Sequence, residues 1–204
     1  SDPGLVMSPD GLTLYLVYRE YDPGTYDRIY FKASTDGINW GSATLMLDVA
    51  ATACLSPAVL WDGTQYVMWS VNHTAYPGTI EKRTCATIDG TWSAPAACTI
   101  ANAVSNDPWH VEVILAGSTY IMLMQDEGSA SHRGGLYLLT SPDGDTWTYD
   151  VNFRLAPGAA GAWDSTKIYR GTLVYDGGVY HLWYSANKAN GTDVWHVGRS
   201  RYTP

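Results

Sequence analysis

Apolar and polar residues alternate with a period of two along most of the chain, and helical periodicity is almost absent. That alternation is the mark of half-buried β-strands, whose successive side chains point to opposite faces. Four stretches share one layout of short apolar strand, Gly-containing turn and aromatic strand. They are "DPGLVMSPDGLTLYLVYRE" from 2, "SPAVLWDGTQYVMWSVN" from 56, "HVEVILAGSTYIMLMQD" from 110 and "RGTLVYDGGVYHLWYSAN" from 170. A second hairpin follows the first three, with turns reading "STDGINW" at 34, "TIDGTW" at 87 and "SPDGDTW" at 141. The fourth ends instead in "VWHVGRSRY", strand-like and without a second turn.

A unit of about four strands recurring at roughly 50 residues predicts β-propeller blades, because a stacked sandwich gives no reason for one unit to repeat. The expected fold is therefore all-β, a propeller of four-stranded antiparallel blades with four repeats in one domain over 1–204. The repeats run over about 1–50, 51–104, 105–160 and 161–204. The longest irregular piece, "APGAAGAWDSTK" from 156, reads as a crossing between blades. In the repeated turn, Asp accepts backbone N–H groups, Gly takes positive φ and Trp packs on the blade.

In an antiparallel hairpin the start of the first strand lies beside the end of the second. One rim thus collects the strand starts Asp2, Ser56, His110 and Arg170. It also collects the return ends Arg19 and Glu20, Ser70 and Asn72, Gln125 and Asp126, and Ser185 and Asn187. The "PWHVEVI" stretch sets His110 and Glu112 two apart, on one face of an otherwise apolar strand.

Composition narrows the partners. The formal net charge is −8, against a phosphate-binding surface, so nucleic acid is not expected. No apolar run approaches the roughly 18 residues of a membrane span, and the N-terminal stretch lacks signal-peptide regions; the chain reads as soluble, with any export signal outside it. Tyr and Trp number 15 and 9 against 2 Phe, which suits half-buried strands and also sugar-binding surfaces. Cys54, Cys85 and Cys98 have no zinc spacing. Cys85 and Cys98 flank a turn and could face each other, although buried apolar thiols are the favoured reading. His73, His132, His181 and His196 form no ligand spacing with one another.

The motifs "SDPGLV", "LSPAVLWDGTQYVMWS", "PWHVEVI" and "IYRGTLVYDGGVYHLWYSA", with the "SxDGxxW" hairpins, resemble the five-bladed propellers of glycoside hydrolase family 43. The likeness is nearest to family-43-like domains of phage structural proteins and bacterial surface proteins. It implies a carbohydrate-facing rim, an oligo- or polysaccharide partner and an extracellular, cell-surface or virion location. It also implies a fifth blade, supplied by an upstream segment or another chain, with a closed four-bladed ring as the alternative.

The family's three carboxylates map unevenly. Asp2 stands in the "DP" context of the base and Glu112 fits the acid, while Ser56 and Ala58 occupy the place of the pKa-tuning Asp. If a missing blade carries the base, Asp2 takes the tuning role. The expected substrate-binding residues are Ser56, Trp109, His110, Arg170, Arg19, Glu20, Asn72 and Asp126. No cofactor is expected, although an ion in the channel at His110 is compatible with the family.

Each assignment has a plainer counterpart. Asp2 can be a strand-entry cap, Arg170 a counter-ion and Trp109 packing between blades. His110 with Glu112 can be a satisfied polar pair, and Glu20, Asp126 and Glu127 solvated loop charges. Glycan recognition ranks first, an inverting glycoside hydrolase second, and a structural propeller in a virion or surface assembly third.

Overall fold

The computed structural model describes residues 1–102, 107–127, 134–188 and 194–204, and among these residues all regular structure is β. Two compact units divide the chain, Ser1–Cys98 and Thr99–Pro204. The first holds β1 (Gly4–Met7), β2 (Leu14–Asp22), β3 (Tyr26–Ser34) and β4 (Thr44–Ala50), paired in that order as one antiparallel sheet. Its second sheet is β5 (Leu55–Trp61), β6 (Tyr66–Asn72), β7 (Thr79–Cys85) and β8 (Ala96–Ala97).

The second unit begins with β9 (Thr99–Ala101) and continues with β10 (Pro108–Ala116), β11 (Thr119–Asp126), β12 (Gly135–Ser141) and β13 (Thr146–Leu155). These make a five-stranded sheet, because β9 adds to the outer edge of β13 as a parallel strand, Thr99 facing Thr146. The last sheet has three strands, β14 (Lys167–Asp176), β15 (Val179–Asn187) and β16 (His196–Tyr202). Four sheets thus match the four sequence repeats, the third gaining β9 as a fifth strand and the fourth, whose repeat has no second turn, holding three.

The turns follow the chemistry of their residues. Ser34 Oγ donates to Asp36 Oδ1 at 3.0 Å, and the same oxygen of Asp36 accepts the N–H groups of Ile38 and Asn39. Ser141 and Asp143 repeat the arrangement with Asp145 and Thr146. Gly37 and Gly144 sit at φ 70° and 74°, where a β-carbon is strained. Trp147 is fully buried, its indole N–H donating to Gly144 O at 3.2 Å. "TIDG" departs from this pattern: Gly90 N–H donates to Thr87 O.

Alternation supplies the cores. In the first unit Val6, Val17, Ile29 and Phe31 face Tyr66, Met68, Ile88 and Trp92. In the second, Ile121, Leu123, Leu136 and Leu138 pack with Leu173, Tyr180, Leu182 and Tyr184. Strands β6 and β11 are buried on both faces over most of their length, so their alternation is weaker than that of β3 or β15. No disulfide joins the cysteines, and burial pushes the Cys54 thiol above its ordinary range.

Candidate functional site

The edge strands β1, β5, β10 and β14 each enter their sheet through an irregularity. The register shifts by one between Leu55 and Ala58 in β5, Pro108 and His110 in β10, and Ile168 and Gly171 in β14. At β1, Arg19 N–H donates to Ser1 O while Gly4 faces Val17, which is the same one-residue excess. A bulge re-aims the side chains at its position and is frequent beside functional sites. The register skips Asp2 and Pro3, Ser56 and Pro57, Trp109, and Tyr169 and Arg170, so three of the four predicted strand starts lie in a bulge and His110 directly follows one, while Pro57 and Tyr169 were passed over by the sequence reading.

In the first unit this entry is held by ion pairs. Arg19 Nε lies 2.8 Å from Asp2 Oδ2, and its Nη1 lies 2.7 Å from Asp27 Oδ1. Asp27 is fully buried, and its second oxygen accepts the Cys54 N–H at 3.2 Å. Asp2 adopts φ 53° and Ser56 φ 50°, and Ser56 is fully buried. Asn72 donates to Glu81 at 2.9 Å and accepts from Thr74, so it closes a turn. Glu20 borders an open groove with Tyr18, Tyr21 and Tyr30, and burial together with the Glu20 carboxylate raises the Tyr30 hydroxyl pKa. Asp2 and Glu112 belong to different units.

The second unit brings β10 and β14 together at their starts. His110 is buried, its ring edge-on to Tyr169 with centroids 4.5 Å apart. The Trp109 indole N–H donates to the Tyr169 hydroxyl at 3.4 Å. Glu112 is half-buried, and Thr172 Oγ1 donates to its Oε1 at 3.5 Å. Burial raises the Glu112 pKa, while the charge of Arg170 and the Thr172 bond pull it back; the net direction is upward. An upward shift favours the protonated carboxyl, which can donate as well as accept. Arg170 N–H donates to Ser185 Oγ, which fixes the backbone behind the guanidinium.

Asp126 is buried and accepts the Asp107 N–H at 3.0 Å, so it closes the strand entry. Lys167 Nζ reaches Glu127 Oε1 at 2.6 Å, and Trp195 packs against Tyr169. Of the predicted set, Trp109, His110, Glu112 and Arg170 therefore converge. Tyr169, Lys167 and Trp195 join them, and only the bulge in β14 could have signalled Tyr169. Among the described residues no group of three or more His, Cys, Asp or Glu is placed to hold a metal ion; His132 lies outside them.

No protein-family model matches the chain, and no curated protein matches it. Solved structures do. An N-acetylgalactosamine deacetylase from F. plautii, in complex with blood group B trisaccharide, is 19% identical with a TM-score of 0.86, over 98% of this chain and 71% of that one. A GH32 β-fructofuranosidase of Bombyx mori in complex with sucrose is 14% identical, TM-score 0.72, over all of this chain and 46% of that one. The GH43B protein of the Bacteroides ovatus xyloglucan PUL is 16% identical, TM-score 0.63, over all of this chain and 38% of that one. This chain thus spans less than half of the latter two proteins. Its four sheets, antiparallel apart from the added β9, are β-propeller blades, and what it shares with these proteins is the fold.

Proposed function

We propose that this propeller is a carbohydrate-recognition module whose site is the mouth formed by β10 and β14. The observation that carries the reading is Glu112. It is a half-buried carboxyl on an otherwise apolar strand, facing Thr172 and the Arg170 charge, with Trp109, His110 and Tyr169 beside it. A carboxyl held in such surroundings is costly unless it is paired or used. Alternating aromatic faces and hydrogen-bonding groups suit a sugar, with its C–H faces and hydroxyls. Two of the similar structures hold sugars, which supports an oligosaccharide as ligand.

A place at a cell surface or in a phage tail belongs to the same proposal. So does a further segment or chain packing on the first sheet, where Leu5, Met7 and Leu45 share one face and are 62%, 49% and 47% exposed. Inverting hydrolysis is the second reading, favoured by the upward shift of Glu112, which suits a proton donor. That mechanism needs a second carboxylate about 6.5–9.5 Å away as base, and Asp2 is already held by Arg19.

A glycan array screened with the chain and with Glu112→Gln tests both readings, the hits then being assayed for released sugar. Binding that is lost or strongly weakened in the variant, without turnover by the parent, supports recognition. Sugar release abolished by Glu112→Gln supports hydrolysis. Binding left unchanged by the substitution removes Glu112 from the site.

A further inference from the structure

Tyr169 is the hub of an aromatic cluster that extends the β10/β14 mouth outward. One neighbour is the His110 ring at 4.5 Å, and another is Trp195, tilted 49° with centroids 5.5 Å apart. Lys167 Nζ stands 5.1 Å from the Tyr169 centroid, and the hydroxyl of Tyr169 accepts from Trp109. Trp195 itself is 47% exposed, so an indole backed by a second ring is presented to solvent beside buried His110. Large aromatic surface left open in this way, on a rigid support, is what a ring-shaped ligand with an apolar face would cover.

The charges around the cluster select the ligand class. Lys167 is bound to Glu127, and the Arg170 charge acts on Glu112. Among the described residues, Lys167 and Arg170 are thus each offset by a carboxyl group, and an acidic sugar bound there would meet Glu112 and Glu127.

We propose that Trp195, backed by Tyr169, is a stacking subsite for a neutral pyranose ring, next to the hydrogen-bonding site at Glu112. The inference rests on the carbohydrate-recognition reading and adds to it the platform and the charge class of the sugar. Its failure is separable from the failure of that reading.

The test titrates blood group B trisaccharide, a xyloglucan oligosaccharide and digalacturonate into the whole chain, by calorimetry and by tryptophan fluorescence. Trp195→Ala is compared with Trp163→Ala, which removes another partly exposed indole of the same unit, one stacked on Tyr184. Near-UV circular dichroism checks that each variant is folded. The expected result is binding of at least one neutral sugar with a change in fluorescence, weakened about tenfold or more by Trp195→Ala and less than about twofold by Trp163→Ala. Parent binding that Trp195→Ala leaves unchanged overturns the subsite and spares the broader reading. Tighter binding of digalacturonate than of both neutral sugars overturns the charge class. Binding of none of the three by the parent overturns the subsite and counts against the reading on which it rests.

Discussion

Replacing Arg19 by Met should destabilise the first unit severely, for a reason visible in two distances. The guanidinium sits 2.8 Å from Asp2 and 2.7 Å from Asp27, with 11% of the Arg19 side chain exposed and none of Asp27. Met keeps the apolar stem and deletes the charge, which leaves the Cys54 N–H as the remaining hydrogen-bond partner of buried Asp27 among the described residues. Removing one side of a buried ion pair costs about 3–5 kcal/mol, most of it from the stranded charge. At a urea m-value of about 2 kcal/mol/M, that lowers the unfolding midpoint by about 1.5–2.5 M. Adding Asp27→Asn to Arg19→Met should recover part of the loss, since the amide oxygen can still accept from Cys54 and no charge remains to be stranded. Equilibrium urea unfolding followed by tryptophan fluorescence reads all three variants. A loss below about 1 kcal/mol for Arg19→Met, the range of a surface pair, would refute the reasoning, as would a double variant no better than the single.

Three further outcomes are expected. Burial raises the Glu112 pKa in the folded state, so the stability tied to its protonated form is complete below the unfolded value and is lost as pH rises through the folded one; melting curves against pH should show this fall in the parent and not in Glu112→Gln, and parallel curves would contradict it. Asp36 is shifted the other way, chiefly by the Asn39 N–H, so its contribution is present above the unfolded value and lost as pH falls through the folded one; Asp36→Ala should remove that acid-side loss in the same titration. Gly198→Ala should cost about 1–3 kcal/mol in urea unfolding, because its Cβ would lie 2.6 Å from both Trp163 and Tyr184, whose stacked rings must give way; a neutral effect would show that they move freely.

The repeats were legible because they rest on local chemistry. The Ser-x-Asp-Gly turns at 34 and 141 form for the same side-chain reasons wherever they occur, and period-2 alternation located the strands between them. Long-range facts were less legible. Asp27 reads as an ordinary polar residue of "TYDRIY", and nothing local says that Arg19 will cover it across the hairpin. The bulge in β14 re-aims Tyr169 and Arg170 together, so counting along the strand found Arg170 and passed over the tyrosine that touches His110. Trp195 looks like strand residue in "VWHVGRSRY" and lies just before β16, against a ring from β14. The parallel strand Thr99–Ala101 is too short to announce itself, and its pairing depends on where β13 runs.

The most direct test of the β10/β14 mouth as a sugar site is to map, by backbone and side-chain NMR, the resonances that move when a neutral oligosaccharide found on the array is titrated into the labelled chain. The account predicts saturable shifts centred on Trp109, His110, Glu112, Tyr169, Arg170 and the Trp195 indole. Shifts confined to the first unit, for instance at the Tyr18–Tyr30 groove, would contradict it.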